Sequence, residues 1–289
     1  MPPEHESPRP SPGEIDALLP KDMARLAERA GAEKARQDGL SLLALAALAG
    51  AFIAFGATFA AAVTGGAGPG APWGLSNLAA GLAFTLAYVL AIVGGAELFT
   101  TNNMMVMAWA HRRLATQRLL RAWGIVYLGN LVGAVSTAAL LVLAGQHAEA
   151  GGGVGAALLD SAARLHGLTL FEAFLLGLLG NTLLCLGVWL TYSARSTTDR
   201  ILALTPPVAA FYVLGLEHAV AVMFYLPCAA LIGALAEPSF WSAIGPAPVD
   251  VTVAGFLRVL LPVTVGNIVG GGGLVALVYW FIYLRPERA

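Results

Sequence analysis

"GLEHAVAVMF", residues 215–224, sets a glutamate and a histidine inside a run from 201 to 232 that carries no other charged side chain. A run of that length exceeds the roughly 20 residues that cross a hydrocarbon core at 1.5 Å per residue, so it reads as a membrane segment. An ionisable side chain at membrane depth costs about 2.5–3.5 kcal/mol on insertion scales. Glu217 and His218 therefore mark a pathway for an ion, a proton or a polar solute.

Five more stretches exceed the same length, at 40–64, 77–107, 122–145, 168–192 and 254–284. Glycine- and proline-rich or charged connections separate them, such as "GGAGPGAPWG" at 65–74 and "GQHAEAGGGVG" at 145–155. Hydrophobic residues make up 58% of the chain and charged ones 11%, against about 25% charged in soluble domains. The expected fold class is an all-α integral membrane protein of six transmembrane helices. A net charge of -1 argues against a nucleic-acid partner, which wants a basic stripe. Cys185 and Cys228 have no His or Cys at metal-ligand spacing, so no metal site, disulfide or cofactor is expected. Residues 1–39 have no apolar core of a signal peptide.

Six spans put both termini on one side, and the basic residues choose it. Of 16 Lys and Arg, 14 fall on the terminal side, with Arg164 and Arg258 opposite. The positive-inside rule then places both termini in the cytoplasm, in an inner (cytoplasmic) membrane. The expected domains are a cytoplasmic tail at 1–39, a channel domain at 40–284 and a short cytoplasmic tail at 285–289. Within the first tail, 14–38 has the pattern of an amphipathic helix lying on the membrane face, its alternative being a solvated charged segment.

Pro206 and Pro207 remove two backbone donors from span five, so an irregular stretch is expected around 205–212, followed by a half-helix with Gly215, Glu217 and His218 near its start. Span two is expected to break as well, through its glycines. Gly95-Ala96-Glu97 answers Gly215-Leu216-Glu217, and "GNLVGA" at 129–134, with Asn130, answers "GNIVGG" at 266–271, with Asn267. Halves of three spans each, 40–145 and 168–284, must be inverted relative to one another, with the site where the interrupted spans meet.

The stretches "GGAELFTTN" (94–102), "GNTLLCLGVWLTYSARSTTDRI" (180–201), "FYVLGLEHAVAVMFYLP" (211–227) and "VGNIVGG" (265–271) resemble the formate/nitrite transporter family in order and spacing. The resemblance implies an aquaporin-like inverted 3+3 repeat and a homopentamer with one pore per protomer. It also implies passage of small monovalent anions such as formate, nitrite or hydrosulfide. His218 matches the family's central pore histidine, Thr100 the threonine facing it, and Phe84 and Phe211 the constriction phenylalanines. Tyr88 stands where the family often has leucine, and Val222 where it often has asparagine; Arg164 and His166 lie near the place of a vestibule lysine.

Those matches give a mechanism in which an anion crosses apolar slits with a proton or hydrogen bond from His218, whose ordinary pKa is near 6.5. Glu97 and Glu217 are read as structural, accepting backbone N–H groups of the broken spans. Asn181 and Asn267 serve either the freed backbone or the pore itself. The alternative function is an aquaporin-like channel for small neutral solutes, although no Asn-Pro-Ala motif is present. No enzyme is expected: Ser193 and Ser196 sit at a basic loop, and no Asp or second His shares a span with His218.

Overall fold

The computed structural model describes residues 18–67, 70–245 and 250–288, and every regular element in them is helical. Among the described residues, five helices are long and apolar enough to cross a membrane: Gly39–Gly66, Trp73–Val93, Thr116–Leu143, Leu170–Thr191 and Val253–Leu284. A sixth is reached when Ala219–Leu235 and Pro238–Ile244, bent by 116°, are counted together. The first and last of the expected stretches begin and end within two residues of the observed helices. The third starts earlier, at Thr116, because "TQRLLR" continues the helix beyond its apolar part.

α1 (Pro20–Lys34) starts on a proline at its first turn, where the missing N–H costs nothing. It buries Met23, Ala24, Ala27 and Gly31 against α5 (Val106–Ala110) and the chain's last helical turns. The amphipathic face expected of 14–38 thus packs on protein; positions 14–17 of that stretch, and Ala289, lie outside the described residues.

α2 (Gly39–Gly66) is capped by Asp38, whose carboxylate accepts from the backbone N–H groups of Leu40 and Ser41. It packs most extensively on α6 (Thr116–Leu143), as α8 (Leu170–Thr191) packs on α12 (Val253–Asn267). Small residues allow these approaches: a Cβ on Gly133 would run into the Ala47 carbonyl, and one on Gly266 into that of Phe174.

Two chain breaks organise the centre. α3 (Trp73–Tyr88) runs through a π-helical turn, Val89–Val93, and stops; five residues, 94–98, separate it from α4 (Phe99–Asn102). α9 (Thr197–Val213) likewise stops before α10 (Ala219–Leu235). Gly95 (φ 83°) and Gly215 (φ 63°) turn the chain in the left-handed region, which glycine enters without a Cβ penalty.

The second break is therefore not at 205–212. Pro206 and Pro207 lie inside a continuous α9, with Pro207 against Gly187 of α8. Residues 188–214 contain no glycine to turn the chain, so the helix persists through both prolines until Gly215. Gly215 and Glu217 lie in the break itself, and His218 is the residue that precedes α10.

Candidate functional site

One asparagine holds each break. Asn130 Oδ1 accepts from the Phe99 N–H at 2.8 Å, while its Nδ2 donates to the carbonyls of Ala46 (2.7 Å) and Glu97 (2.9 Å). Asn267 Oδ1 accepts from the Ala219 N–H at 2.8 Å, and its Nδ2 donates to the carbonyls of Gly177 (2.8 Å) and Glu217 (3.3 Å). The Glu97 and Glu217 N–H groups donate to the carbonyls of Leu45 and Leu176. Backbone groups freed by the breaks are thus met by protein, as an apolar surrounding requires. Asn181 joins this framework, donating to the Thr100 carbonyl (3.0 Å) and the Asn267 carbonyl (2.8 Å).

Among the described residues, no backbone N–H group bonds to either carboxylate. Glu97 Oε2 accepts from Lys34 Nζ at 2.9 Å, and the same ammonium donates to Asn102 Oδ1 at 3.1 Å. Glu217 pairs with Arg164 of α7 (Gly153–Gly167), whose second nitrogen reaches the Gly215 carbonyl at 3.4 Å. Buried carboxylates need cations, and these come from helices far along the chain. In both pairs the carboxylate is buried and the cation reaches water: the side chains of Lys34 and Glu97 are 31% and 5% exposed, those of Arg164 and Glu217 48% and 3%. Attraction from Glu217 pushes the Arg164 guanidinium, already a strong base, further up.

A cavity of about 350 Å³ on the α1 side is lined by Lys34, Ala91, Gly95, Glu97 and Arg200. One of about 680 Å³ on the α7 side is lined by Phe84, Arg164, Phe211, Gly215 and Glu217. Neither is lined by Tyr88, Thr100 or His218.

Those three lie in a fully buried cluster with the two phenylalanines. Phe84 and Phe211 stack with centroids 6.1 Å apart. The His218 ring is 6.2 Å from Phe84, 5.4 Å from Phe211 and 6.1 Å from Tyr88. The Tyr88 and Thr100 hydroxyls lie close enough to interact weakly, with no hydrogen bond of ordinary geometry between them. Among the described residues, none partners Tyr88 Oη, Thr100 Oγ1 or either ring nitrogen of His218 in a hydrogen bond. Buried polar groups are nearly always paired, so four unpaired ones in a single cluster point to a polar occupant.

Residues 21–281 match the family model described as formate/nitrite transporter. The chain belongs to the formate/nitrite transporter family. It is a multi-pass membrane protein of a channel and transporter family, not of an enzyme family. It is 42% identical over 277 residues to the formate channel FocA of Escherichia coli (strain K12), covering 94% of this chain and 97% of that one. The probable formate transporter of Methanothermobacter thermautotrophicus is 34% identical over 281 residues, covering 92% and 97%. A solved pentameric formate channel with formate bound superposes with a TM-score of 0.78 at 37% identity, covering 86% of this chain and 98% of that chain.

Sequence reading missed Lys34 as the partner of Glu97. Its only signal was a lysine ending a helix that was otherwise assigned to the membrane face.

Proposed function

We propose that this chain is a channel for small monovalent weak-acid anions of the formate, nitrite or hydrosulfide type, with His218 donating a proton or hydrogen bond between two apolar constrictions. The observation that carries the reading is the buried cluster in which the polar side-chain atoms of His218, Thr100 and Tyr88 have no hydrogen-bond partner among the described residues, with Phe84 and Phe211 beside it on the wall of the larger cavity. Phe84 and Phe211, on the wall of the larger vestibule, form the constriction on that side. The Tyr88 ring, one helical turn beyond Phe84, forms the other. A bare anion crosses such a slit only at high desolvation cost, and a hydrogen bond or proton from His218 lowers it. At each mouth the exposed cation, not the buried carboxylate, meets the arriving anion.

α3–α5 and α9–α10 serve as spans two and five, interrupted at 94–98 and 214–218. The first break opens on the α1-side cavity and the second on the α7 side, which supports an aquaporin-like inverted repeat of 40–145 and 168–284. Asn130, Asn181, Asn267, Glu97 and Glu217 serve as framework, and His218, Thr100, Phe84, Tyr88 and Phe211 line the path. The pentameric neighbour supports a homopentamer. Basic residues gathered on the α1 side favour cytoplasmic termini in the inner membrane. A C-terminal reporter active only in the cytoplasm is the expected result, and activity outside it would reverse the orientation.

Flux into liposomes with formate, nitrite, hydrosulfide and glycerol in one panel tests the function. Anion flux is expected, and glycerol flux alone would favour a neutral-solute channel. Phe211→Ala removes one face of the ring stack and is expected to raise flux of larger monocarboxylates at least about fivefold, since apolar constrictions limit passage by dewetting. Wild-type rate and selectivity in that variant would make Phe211 core packing.

A further inference from the structure

We propose that the Tyr88 hydroxyl is a selectivity group, a third hydrogen-bonding arm that favours occupants with two oxygens, such as formate and nitrite, over one-centre anions such as hydrosulfide. The inference rests on the reading of this chain as an anion channel and says which anions its seat prefers.

Tyr88 is fully buried, yet its hydroxyl has no hydrogen-bond partner among the described residues. The ring alone would fill the space: it packs at 6.4 Å from Phe84 and edge-on to His218 at 6.1 Å. A phenylalanine would make the same contacts without burying an unsatisfied oxygen. An unpaired buried hydroxyl carries a desolvation penalty that apolar packing does not repay, so something must recover it. The hydroxyl interacts at most weakly with that of Thr100, which is equally buried and, among the described residues, likewise has no hydrogen bond of ordinary geometry; the His218 ring completes the cluster.

Tyr88 and Thr100 hydroxyls and the imidazole each have a hydrogen to offer. A planar two-oxygen anion, or its neutral acid, presents separate acceptors and can take bonds from His218 and from a hydroxyl at once. Hydrosulfide presents one large, weakly accepting atom on which both arms must converge, so the second arm gains less from it. A site built around hydrogen-bond arms discriminates strongly against an occupant that cannot use them, because the arms are then left unpaired. Specificity here comes from the hydroxyl, and the aromatic ring supplies the slit.

Tyr88→Phe removes the oxygen and keeps the ring. Initial fluxes of formate, nitrite and hydrosulfide into liposomes would be compared for the wild type and this variant at one pH. The expected result is a fall of about tenfold in the formate-to-hydrosulfide and nitrite-to-hydrosulfide ratios. Because the hydroxyl makes no protein hydrogen bond of ordinary geometry among the described residues, the variant is also expected to unfold at or above the wild-type temperature. Unchanged ratios would overturn the inference and leave the anion channel standing. Loss of all three fluxes together with earlier unfolding would make the hydroxyl structural. A wild-type protein that conducts none of the three would overturn the channel reading itself, and the inference with it.

Discussion

Replacing Arg164 with alanine is expected to destabilise the folded protein by about 3 kcal/mol, on the order of 5–10 °C in unfolding temperature. Glu217 sits in the second break with its side chain 3% exposed, and Arg164 is the cation that meets it. Removing one partner of a buried ion pair costs about 3–5 kcal/mol, because the remaining charge keeps its desolvation penalty and loses its compensation. Arg164 is half exposed, so water entering from the larger vestibule replaces part of its attraction and the lower end of that range applies. The guanidinium also holds the Gly215 carbonyl at 3.4 Å, a second bond lost at the turn.

The sign of the effect separates this account from general surface damage. Arg164→Lys keeps the positive charge and should recover more than half of the loss. Arg164→Ala combined with Glu217→Gln removes both charges and should unfold later than Arg164→Ala alone. Thermal unfolding of the three variants in one detergent gives the comparison. A double variant no more stable than the single one would mean that Arg164 acts through packing of α7 and not through Glu217.

Why the sequence revealed some of this and not the rest follows from the range of each interaction. The spans were legible because a bilayer enforces one length and one chemistry on every crossing segment, so 168–192 and α8 nearly coincide. The paired breaks were legible as Gly-x-Glu and Gly-Asn repeats, and Asn130 and Asn267 perform matching tasks on them. The second break lies later in the chain than proline alone predicts. In apolar surroundings a helix that loses two donors still satisfies more backbone than an open chain does, so the turn waits for Gly215 and its Asn267 clamp. The partners of the two carboxylates were hidden for another reason. Lys34 and Glu97 are 63 residues apart and Arg164 and Glu217 53, and no local pattern reports such a meeting. The unpartnered hydroxyl of Tyr88 is likewise a property of the assembled cluster, since the letter alone reads as an aromatic in a span.

Replacing His218 with asparagine is expected to flatten the pH dependence of anion flux while leaving the protein folded. Asparagine is of similar size and keeps a hydrogen-bond donor, but it does not titrate. Of the groups in the cluster, the imidazole alone is a base whose ordinary pKa lies near neutrality, whereas the hydroxyls of Tyr88 and Thr100 are not. If passage requires the histidine to hand over or share one proton, flux changes by up to about tenfold per pH unit. The variant should vary less than about twofold over the same span once the supply of neutral acid is held fixed. That control matters because formic and nitrous acids are themselves protonated at low pH and leak through lipid, so protein-free liposomes must be subtracted at each pH. Glu97 and Glu217 keep their cations in both proteins, and any pH effect they exert persists in the variant. The difference between wild type and His218→Asn therefore isolates the imidazole. Equal pH profiles would show that His218 donates only a hydrogen bond, with no proton moving between it and the anion, and the weak acid would then be carrying its own proton through the slit.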